Sequence, residues 1–582
     1  MTANRMAHAA EQAALMRNSS RSCAEAGDWP AALAAADLGL QDLPGDPELL
    51  FYRALALRRT GRIGEALAAY EAALSRAPGQ IDLLGNYGNA LTDAGRSAEA
   101  LACYDRGLRL APGSAWLHMS RANLLAGIGR LEEAITAYQA ALRLVPEAVE
   151  AWCGLGRILL QAGRAEEALK SYDRARTLDP GCVEAVAGTG EAWFELGEAP
   201  RAIPAFEQAL ALDASDADTL NGLAMAVQRT GDAVRAENLF SRALSLEPGF
   251  AEARYNRALL RLSAQRFDEA WPDYEGRIAL PSFREHLRAA PASVEAFGRL
   301  PRWPGTVTPG RSLGIWAEQG LGDQVLFSML LPELRQLGQP FIYEVDRRLL
   351  PAYRRVFPDV QFVARSDPPD PALLHADQAL FCGSLPGLLR PKRAPDSSQW
   401  QPVLSAESGR IAQYGARMGR QARVALSWRS ARAGWVGRDK SAGLAALAPL
   451  LQVPGVQWVD VQYGDTTAER HALARAPGVD LLHFDELDYR EDLEDVLAII
   501  EACDLVVATS NATAHLAGAL GKATWLLQAG GPPFHYWVAG PDGRCPWYPQ
   551  VEIVSVPDVR DWTALSGAVA QRLVHWLQRR PA

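Results

Sequence analysis

The chain has 582 residues, which is enough for about four domains of ~150 residues. Apolar residues make up 48% and charged residues 22%, as in ordinary globular proteins. The formal net charge of -9 argues against broad binding to nucleic acid or to anionic membranes, which needs a basic surface, although local basic sites are still possible.

The beginning of the sequence, MTANRMAHAAEQAALMRN, has no continuous apolar stretch as long as a secretory signal requires, and no later segment approaches the length of a membrane span. We therefore expect a cytoplasmic location. The seven cysteines are scattered and form no CxxC pair, so neither a zinc site nor a disulfide framework is expected. We interpret them as reduced thiols, most of them buried.

A 34-residue period organises the first half of the chain. Glycine recurs at this spacing from Gly27 to Gly231, and Gln265 holds the next place. Alanine follows each of these positions after five residues, and an aromatic residue follows after nine from the second unit onward. Proline follows after seventeen, except at Ala214 and Ser282. Glycine permits a turn, alanine allows close helix packing, the aromatic ring fills the space between helices, and proline ends the second helix. The period predicts about eight helix-turn-helix units over residues 1–285.

This register resembles the tetratricopeptide repeat over roughly residues 10–280. Repeats of that family stack into an α-solenoid, a superhelix whose groove often holds a polypeptide, so the resemblance implies a protein partner. The alternative for any polar groove residue is a solvated helix face. The candidates to bond a peptide backbone are asparagines, which form no regular ladder of the kind found in O-linked N-acetylglucosamine transferase: Asn86, Asn89, Asn123, Asn221 and Asn256.

After Pro281 the period ends, and the proline- and glycine-rich stretch LPRWPGTVTPGRS predicts a linker at residues 286–311. Short apolar runs then alternate with helical segments, which predicts βαβ units around parallel sheets. A polar stretch at 390–403 divides the strands into two Rossmann-like lobes, 312–405 and 406–582, with a cleft between them. The predicted strands are 312–318, 341–346, 360–365, 423–428, 456–462, 504–509 and 523–528, and a closing helix is predicted at 562–580.

The first candidate loop, WAEQGLGDQVLF, follows the first predicted strand of the α/β region. Ligands of open α/β sheets bind at the C-terminal ends of strands. The loop fails as a dinucleotide fingerprint because Val325 replaces the third glycine, and it has no Walker lysine. What remains is a glycine turn that places Asp323 at the start of a helix, where it could act as a helix cap or as a base.

The second candidate loop is TSNATAHLAGALG, residues 509–521. Ser510 or Asn511 can cap the helix that follows, and the free N–H groups and dipole of that helix suit a phosphate or another anion. Ordinary capping with a partly buried His515 is the alternative.

The third candidate loop is SWRSARAGWVGRDKS, residues 427–441. It gathers Arg429, Arg432, Arg438 and Lys440 after a predicted strand. Both an anionic ligand and a solvated loop would explain such a run in an acidic chain.

Five stretches, taken in order, resemble a GT-B glycosyltransferase domain related to the heptosyltransferases of glycosyltransferase family 9, over about residues 300–575: LGIWAEQGLGDQVLF, ALSWRS with the KS that follows it, VDVQYGD, CDLVVATSNATAHLAGALGKATWLL and PWYP. The resemblance implies that Asp323 is the general base that deprotonates the acceptor. It also implies acceptor-side roles for Glu318, Gln319, Gly320, Gly322 and Gln324. The implied donor-binding residues are Trp428, Arg429, Lys440, Ser441, Gln462, Tyr463, Ser510, Asn511, Thr513 and His515.

In such an enzyme Lys440, Arg429 and backbone amides would stabilise the leaving group without a metal. No cofactor is expected beyond the nucleotide-sugar donor. Many heptosyltransferase relatives carry aspartate at the position of Ser510. The loss of a carboxylate beside several basic residues would suit an acidic donor sugar, such as a CMP-linked nonulosonic acid.

Repeats joined to such a domain resemble the flagellin glycosyltransferases of some bacteria, in which the repeats recruit flagellin before export. The resemblance predicts a protein O-glycosyltransferase that acts on Ser or Thr of a protein held by the repeats, with flagellin as the best single guess. One alternative is a non-catalytic scaffold with a degenerate transferase domain. The other is a transferase that acts on lipopolysaccharide or another glycan.

Overall fold

The computed structural model describes residues 2–283, 291–390, 400–430, 434–473, 479, 481–529, 536–540, 542–556 and 561–579. The chain divides into two compact units, Met1–Ala214 and Ser215–Ala582. Within the described ranges, no helix combines the length and the apolar character needed to cross a bilayer.

The first unit is a stack of helices in which each helix packs against the next. The aromatic residues predicted to fill the space between helices are buried, as at Tyr104 and Tyr172. Gly156 and Gly188 make room for the ring of Tyr172: a Cβ atom at Gly156 would lie 2.7 Å from the ring carbon Cζ, and one at Gly188 would also collide with the ring. The helices are α1 (Thr2–Glu25), α2 (Trp29–Asp42), α3 (Pro47–Arg59), α4 (Ile63–Arg76), α5 (Ile81–Asp93), α6 (Ser97–Leu110), α7 (Ala115–Gly127), α8 (Leu131–Leu144), α9 (Val149–Gln161), α10 (Ala165–Leu178), α11 (Val183–Glu195) and α12 (Ala199–Leu212).

The repeated glycines occupy the turns between paired helices. Gly27 has φ 76°, Gly129 has φ 79° and Gly231 has φ 92°, all in the left-handed region where a side chain is disfavoured. Gln265 adopts the same conformation, with φ 58°. The predicted period of helix-turn-helix units is therefore confirmed. Gln265 is the one repeat-turn residue among these with a side chain, so the backbone of its turn is strained.

The second unit begins with four more repeat helices and a 3₁₀ helix at Glu275–Ala279. Within the segment predicted as a linker, the structure has one further helix, and the indole of Trp303 is buried. The helices are α13 (Ala217–Arg229), α14 (Ala233–Leu246), α15 (Ala251–Ser263), α16 (Phe267–Tyr274) and α17 (Pro291–Arg299).

Two α/β lobes follow, each built on a largely parallel sheet. The first sheet has the strand order β3-β2-β1-β4 and is wholly parallel, and the second has the order β10-β11-β9-β8-β5-β6-β7 with one antiparallel pair, β10 and β11. The strands are β1 (Leu313–Trp316), β2 (Phe341–Val345), β3 (Gln361–Ala364), β4 (Gln378–Phe381), β5 (Ala422–Ser427), β6 (Val456–Asp460), β7 (Leu481–Leu482), β8 (Leu505–Thr509), β9 (Thr524–Ala529), β10 (Arg544–Cys545) and β11 (Tyr548–Val556). The helices are α18 (Leu321–Ser328), α19 (Leu331–Gln336), α20 (Leu350–Val356), α21 (Pro371–Leu374), α22 (Leu385–Leu389), α23 (Ser408–Arg417), α24 (Gly434–Asp439), α25 (Ala448–Leu451), α26 (Thr467–Leu473), α27 (Leu493–Ala502), α28 (Ala512–Leu520) and α29 (Trp562–Arg579).

The predicted fold class is confirmed: a helical solenoid is followed by two α/β lobes with parallel sheets. Each of the seven predicted strands overlaps an observed strand, and α29 matches the predicted closing helix. Sequence reasoning missed β4, β7, β10 and β11. Most of the polar stretch at 390–403 lies outside the described residues.

The strained turn at Gln265 gives a testable prediction. Because its side chain is exposed and its φ is 58°, Gln265→Gly should relieve strain at little loss of packing. We expect the free energy of unfolding of the second unit to rise by about 0.5–1 kcal/mol, measured by urea denaturation. The control Gln265→Ala keeps a Cβ atom and should give no such gain. An unchanged or lower midpoint for the glycine variant would contradict the prediction.

Candidate functional site

A cavity of about 550 Å³ opens in the second unit where the loops after β1, β6 and β8 meet. These loops lie at the C-terminal ends of parallel strands, which is where α/β sheets bind ligands. The lining residues come from both lobes and from the end of the repeats. The first and second candidate loops of the sequence therefore face the same space.

The loop after β1 brings Asp323 to the cavity. Gly320 occupies the N-cap position of α18, so Asp323 is not the N-cap residue of this helix. Asp323 is instead the third residue of α18, and its Oδ2 atom lies 3.6 Å from the point that a Cβ atom on Gly320 would occupy. A carboxylate in the first turn of a helix is stabilised by the helix dipole.

The other acceptor-side glutamines differ in position. Gln319 lines the cavity with φ 58°, and its Nε2 donates to the hydroxyl of Tyr274 at 3.3 Å. Gln324 is buried and does not line the cavity, and its Oε1 has no hydrogen-bond partner among the described residues. A non-glycine residue held in the left-handed region costs about 1–3 kcal/mol, which requires strong local packing.

Gly322, in the first turn of α18, and His515, on α28, lie in close contact across the two lobes. A Cβ atom on Gly322 would lie 2.8 Å from Cδ2 of His515, so only glycine allows this approach. The imidazole is buried, with its centroid 4.6 Å from that of Trp537 and its Nδ1 3.1 Å from the hydroxyl of Tyr548. Burial and the charge of Lys440 lower the pKa of His515 to about 3. His515 is therefore neutral near pH 7 and contributes packing and hydrogen bonding, not charge.

The N-terminus of α28 also faces the cavity. Asn511 is its cap, with Oδ1 accepting from the N–H of Ala514 at 3.3 Å. The amide nitrogen of Asn511 donates to Ser427 Oγ at 2.7 Å, so this side chain is used within the protein. Thr513 is likewise occupied, donating to a backbone carbonyl of the loop after β6.

Ser510 differs from these neighbours. Its side chain is buried and lines the cavity, yet its hydroxyl makes no hydrogen bond with any residue that the structure describes. A free hydroxyl beside the first-turn N–H groups of a helix is a suitable place for an anion.

Two cationic side chains of the second lobe also line the cavity. Lys440 is buried, with Nζ 5.9 Å from the ring centroid of Tyr536. Arg490 is exposed, and its guanidinium makes no ion pair within the described part of the chain. Its backbone carbonyl accepts from Arg348 at 2.6 Å, and Arg348 is itself neutralised by Asp346. Sequence reasoning missed Arg490 because a charged residue in the charged stretch DYRED has the pattern of solvated surface.

The charges of the lining are unequal. Asp323 is the only carboxylate among the described lining residues, against the cations Lys440 and Arg490 and two paired arginines. Among the described residues, no three His, Cys, Asp or Glu side chains group as a metal site requires. An anionic ligand fits this lining better than a cationic one.

Four predicted donor-binding residues lie around the cavity and not in its lining. Gln462 Oε1 accepts from the N–H groups of Trp428 at 2.8 Å and Arg429 at 2.9 Å, so it fixes the loop after β5. The Trp428 indole is buried in the core of the second lobe. The guanidinium of Arg429 pairs with Glu469 at 3.1 Å. Ser441 accepts from a backbone N–H of the same loop. These four side chains hold the loop after β5 in place and do not line the cavity. Direct contact between them and a donor stays a prediction.

Ser430 and Lys440 of the third loop reach the lining, and so does Tyr463 in the loop after β6. Arg432, also predicted in the third loop, lies outside the described residues. The loop therefore brings Lys440 to the cavity through α24 and the turn after it.

Glu318, predicted on the acceptor side, is fully buried in an ion pair. Its two carboxylate oxygens accept from Arg277 Nη2 at 2.8 Å and Nε at 3.1 Å, and the N–H of Gly383 is a third donor. Any Cβ atom on Gly383 would collide with this carboxylate. Burial would lower the pKa of Arg277, but the charge of Glu318 more than compensates and raises it. Glu318 anchors the loop and does not line the cavity, which corrects the predicted acceptor contact.

The end of the repeats supplies a third side of the cavity that sequence reasoning did not anticipate. The residues are Tyr255 on α15, Arg277 in the 3₁₀ helix, and Leu280, Ser282 and Phe283 just after it. The end of the repeats is therefore part of the site.

Two of the groove asparagines in the first unit serve the repeat fold. Asn89 Oδ1 accepts from the hydroxyl of Tyr104 at 2.7 Å, and Asn123 Oδ1 accepts from Tyr138 at 2.6 Å. Each satisfies a tyrosine hydroxyl of the second helix of its pair. Asn86 donates to a carbonyl one turn earlier in its own helix.

The groove asparagines of the second unit pair with each other. Asn256 Nδ2 donates to Asn221 Oδ1 at 3.0 Å, across adjacent repeats. The same Nδ2 lies 3.4 Å from the sulfur of Met225. Peptide binding by the five asparagines stays a prediction.

Comparison with known proteins identifies the repeats. Tetratricopeptide repeat models match residues 20–81, 119–181, 167–217 and 221–294, and a second such model matches 57–124. The chain is thus a tetratricopeptide-repeat protein with a C-terminal α/β region.

One curated relative and several solved structures are similar to this chain. Protein FlbA of Caulobacter vibrioides is 29% identical over 340 residues, which are 56% of this chain and 55% of that protein. The chain therefore spans about half the length of the curated relative that it matches. A tetratricopeptide repeat protein from Parabacteroides merdae is 20% identical, with a TM-score of 0.37, over 42% of this chain and 98% of its own. TTC0263 of Thermus thermophilus is 20% identical, with a TM-score of 0.28, over 31% and 97%.

The burial of His515 gives a prediction that titration can check. Its pKa of about 3 means that the ring stays neutral from pH 8 down to about pH 4. Imidazole NMR of the protein labelled at histidine should show one ring that does not titrate above pH 5, and this signal should vanish in His515→Gln. A His515 signal that titrates near pH 6.5 would contradict the assignment.

The buried carboxyl group of Glu344 on β2 should make the stability of the fold depend on pH. Its Oε2 accepts from the N–H of Ala317 at 2.9 Å, its Oε1 is buried without a partner, and burial raises its pKa to about 7. The folded pKa exceeds the unfolded one, so the wild type loses stability as the pH rises from about 4.5 to 7. Relative to wild type, Glu344→Gln should gain about 3 kcal/mol at pH 8 and little at pH 4.5, measured by denaturant unfolding. An equal difference at both pH values would contradict this account.

Proposed function

We propose that the α/β region is a GT-B, heptosyltransferase-like glycosyltransferase and that the chain is a protein O-glycosyltransferase. One observation supports the proposal: a single cavity is lined by Asp323, by Lys440 and Arg490, and by the first residues of α28. Two lobes with parallel sheets and a cavity at their strand ends are compatible with the GT-B architecture.

In this proposal the nucleotide sugar binds to the second lobe. Its phosphate oxygens accept from the first-turn N–H groups of α28 and from the hydroxyl of Ser510. Lys440 and Arg490 offset the negative charge that develops on the departing nucleotide. Asn511, Gln462 and Trp428 keep the loops in place through the protein contacts described above.

The acceptor is a Ser or Thr hydroxyl that enters beside Asp323. The hydroxyl oxygen attacks the anomeric carbon of the donor sugar while Asp323 takes the hydroxyl proton. The bond between the anomeric carbon and the phosphate oxygen breaks, and the nucleotide leaves with that electron pair. His515 is neutral and supports the wall behind Gly322.

The finer proposal for the donor is an acidic sugar, such as a CMP-linked nonulosonic acid. The cationic excess of the lining and the absence of a carboxylate at Ser510 support it. Thermal-shift measurements with CMP-, ADP- and UDP-sugars test this choice, since a bound ligand stabilises the fold. Stabilisation by neutral UDP-sugars alone would count against an acidic donor.

The finer proposal for the acceptor is a protein held by the repeats, with flagellin as the best single guess. The repeats support protein binding in general. Sugar transfer would take place in the cytoplasm, before export of the acceptor.

A non-catalytic scaffold is the second candidate. The observation in its favour is that Trp428, Arg429 and Gln462 already have protein partners. The scaffold and the enzyme predict different outcomes for a change at Asp323. A transferase acting on lipopolysaccharide or another glycan shares the chemistry but gives the repeats only a structural role.

The role of Asp323 can be tested in cells by intact-mass analysis of flagellin. Both Asp323→Ala and a deletion of the repeats should abolish the glycan mass, because a positioned base contributes about 10²–10⁴-fold to the rate. Asp359→Ala is the matched control, since this carboxylate is exposed in the same lobe and pairs only with Arg335 among the described residues. Unchanged glycan mass in both variants would contradict the proposed function, and loss in the repeat deletion alone would indicate the scaffold.

The cationic lining can be tested by calorimetric binding of the nucleotide sugar. Lys440→Met and Arg490→Met should each weaken the Kd about tenfold, because each removes a charged hydrogen-bond donor worth about 1.5 kcal/mol. Arg335→Met is the control, since Arg335 does not line the cavity. Unaltered affinity in both lining variants would contradict the placement of the phosphates.

A further inference from the structure

We infer that the end of the repeats forms a subsite for an apolar side chain next to the accepting hydroxyl of a polypeptide acceptor. We name this surface the repeat-end wall and define it by Tyr255, Leu280 and Phe283, which line the cavity that also contains Asp323. The inference rests on the proposed function and adds to it the local chemistry of the acceptor.

The repeat-end wall is apolar and firmly seated. Leu280 and Phe283 are mostly buried in a cluster of apolar residues that continues into the first lobe. The Phe283 ring lies edge-on to Phe381 with centroids 5.2 Å apart, and Tyr255 lies 5.6 Å from Tyr274. An apolar acceptor side chain would meet a preformed surface and would not have to order it first.

Within the described residues, the charged side chain that the repeat end contributes to the cavity is already paired. This side chain is Arg277, whose guanidinium is bound by Glu318 at 2.8 Å and by Glu275 at 2.7 Å. The cations Lys440 and Arg490 belong to the second lobe. A charged residue placed against the wall would lose hydration without gaining a partner, whereas an apolar one would gain from burial.

The wall is linked through Tyr274 to the loop that contains the candidate base. Gln319, four residues before Asp323, donates to the hydroxyl of Tyr274, and the Tyr274 ring packs on Tyr255. Leu321, in the same turn of α18 as Asp323, also lines the cavity. A hydroxyl at Asp323 would therefore place a neighbouring side chain of its own polypeptide against the wall.

The wall is also continuous with the last repeats. Tyr255 precedes Asn256, whose amide bonds to Asn221 on α13. Helix α15 therefore contributes both to this asparagine pair and, through Tyr255, to the cavity lining. This continuity favours a polypeptide over a free glycan as the occupant.

The test uses the full-length protein, the nucleotide sugar that stabilises it most, and a library of short peptides. Each peptide has one fixed Ser or Thr with randomised neighbours, and mass spectrometry identifies the modified ones. We expect at least about fivefold enrichment of Leu, Ile, Val, Phe and Met over Asp, Glu and Lys at an adjacent position. Release of nucleotide by transfer to water provides a readout that does not need the acceptor.

Two variants and one control separate the wall from the rest of the fold. Leu280→Ser and the less buried Tyr255→Ala should each reduce the enrichment to below about twofold, while transfer to the peptides stays measurable. Leu259→Ala on the same helix, which does not line the cavity, should keep the enrichment.

Equal modification of all neighbours by the wild type would overturn the inference, as would full enrichment in both wall variants. Transfer and nucleotide release would still be present in that case, so the proposed function would stand. Absence of binding, transfer and nucleotide release with every donor would instead overturn the proposed function, and the inference with it.

Discussion

A buried ion pair between Arg277 and Glu318 fixes the frame on which the site depends. The two side chains are 1% and 0% exposed and make two parallel hydrogen bonds. Loss of one partner would leave an uncompensated buried charge, at a cost of about 3–5 kcal/mol. The pair joins the 3₁₀ helix after the last repeat to the loop that leads from β1 to Asp323. The repeat end and the candidate base are therefore held in one rigid arrangement.

From this frame the two sides of the cavity acquire different chemistry. The second lobe contributes the cations Lys440 and Arg490, the hydroxyl of Ser510 and the N-terminus of α28, which suit an anionic donor. The repeat end and the loop after β1 contribute aromatic and aliphatic surfaces, the paired Arg277 and the carboxylate of Asp323. A transferase needs such an asymmetry, because it must hold a charged leaving group and a neutral nucleophile at the same time.

The sequence predicted those features that repetition or local chain geometry determines. The 34-residue period predicted the turns, because every repeat packs its two helices in the same way and every turn needs a residue in the left-handed conformation. The loops before Asp323 and Ser510 were found because a buried strand followed by glycine or a cap marks a strand end. Strand β4 has only four residues without alternation, and β11 has a proline, Pro549, near its start, so neither has the usual sequence pattern of a strand.

Contacts between distant parts of the chain could not be predicted. Arg277 and Glu318 are 41 residues apart, and nothing local marks either as half of a buried pair. Gln462 and Trp428 belong to the stretches that resemble the transferase family, but resemblance alone does not separate a residue that touches a ligand from one that holds the loop. The side of the cavity formed by the repeat end has no sequence motif at all, because it exists only through packing.

The central claim is that the cavity holds a nucleotide sugar between the lobes. Hydrogen–deuterium exchange of the full-length protein, with and without a CMP-sugar, ADP-sugar or UDP-sugar, tests it most directly. We expect that at least one donor slows exchange at Ala512–Ala514 and around Lys440, with no effect on the first unit. Unchanged exchange at these segments with every donor, or protection confined to other segments, would contradict it.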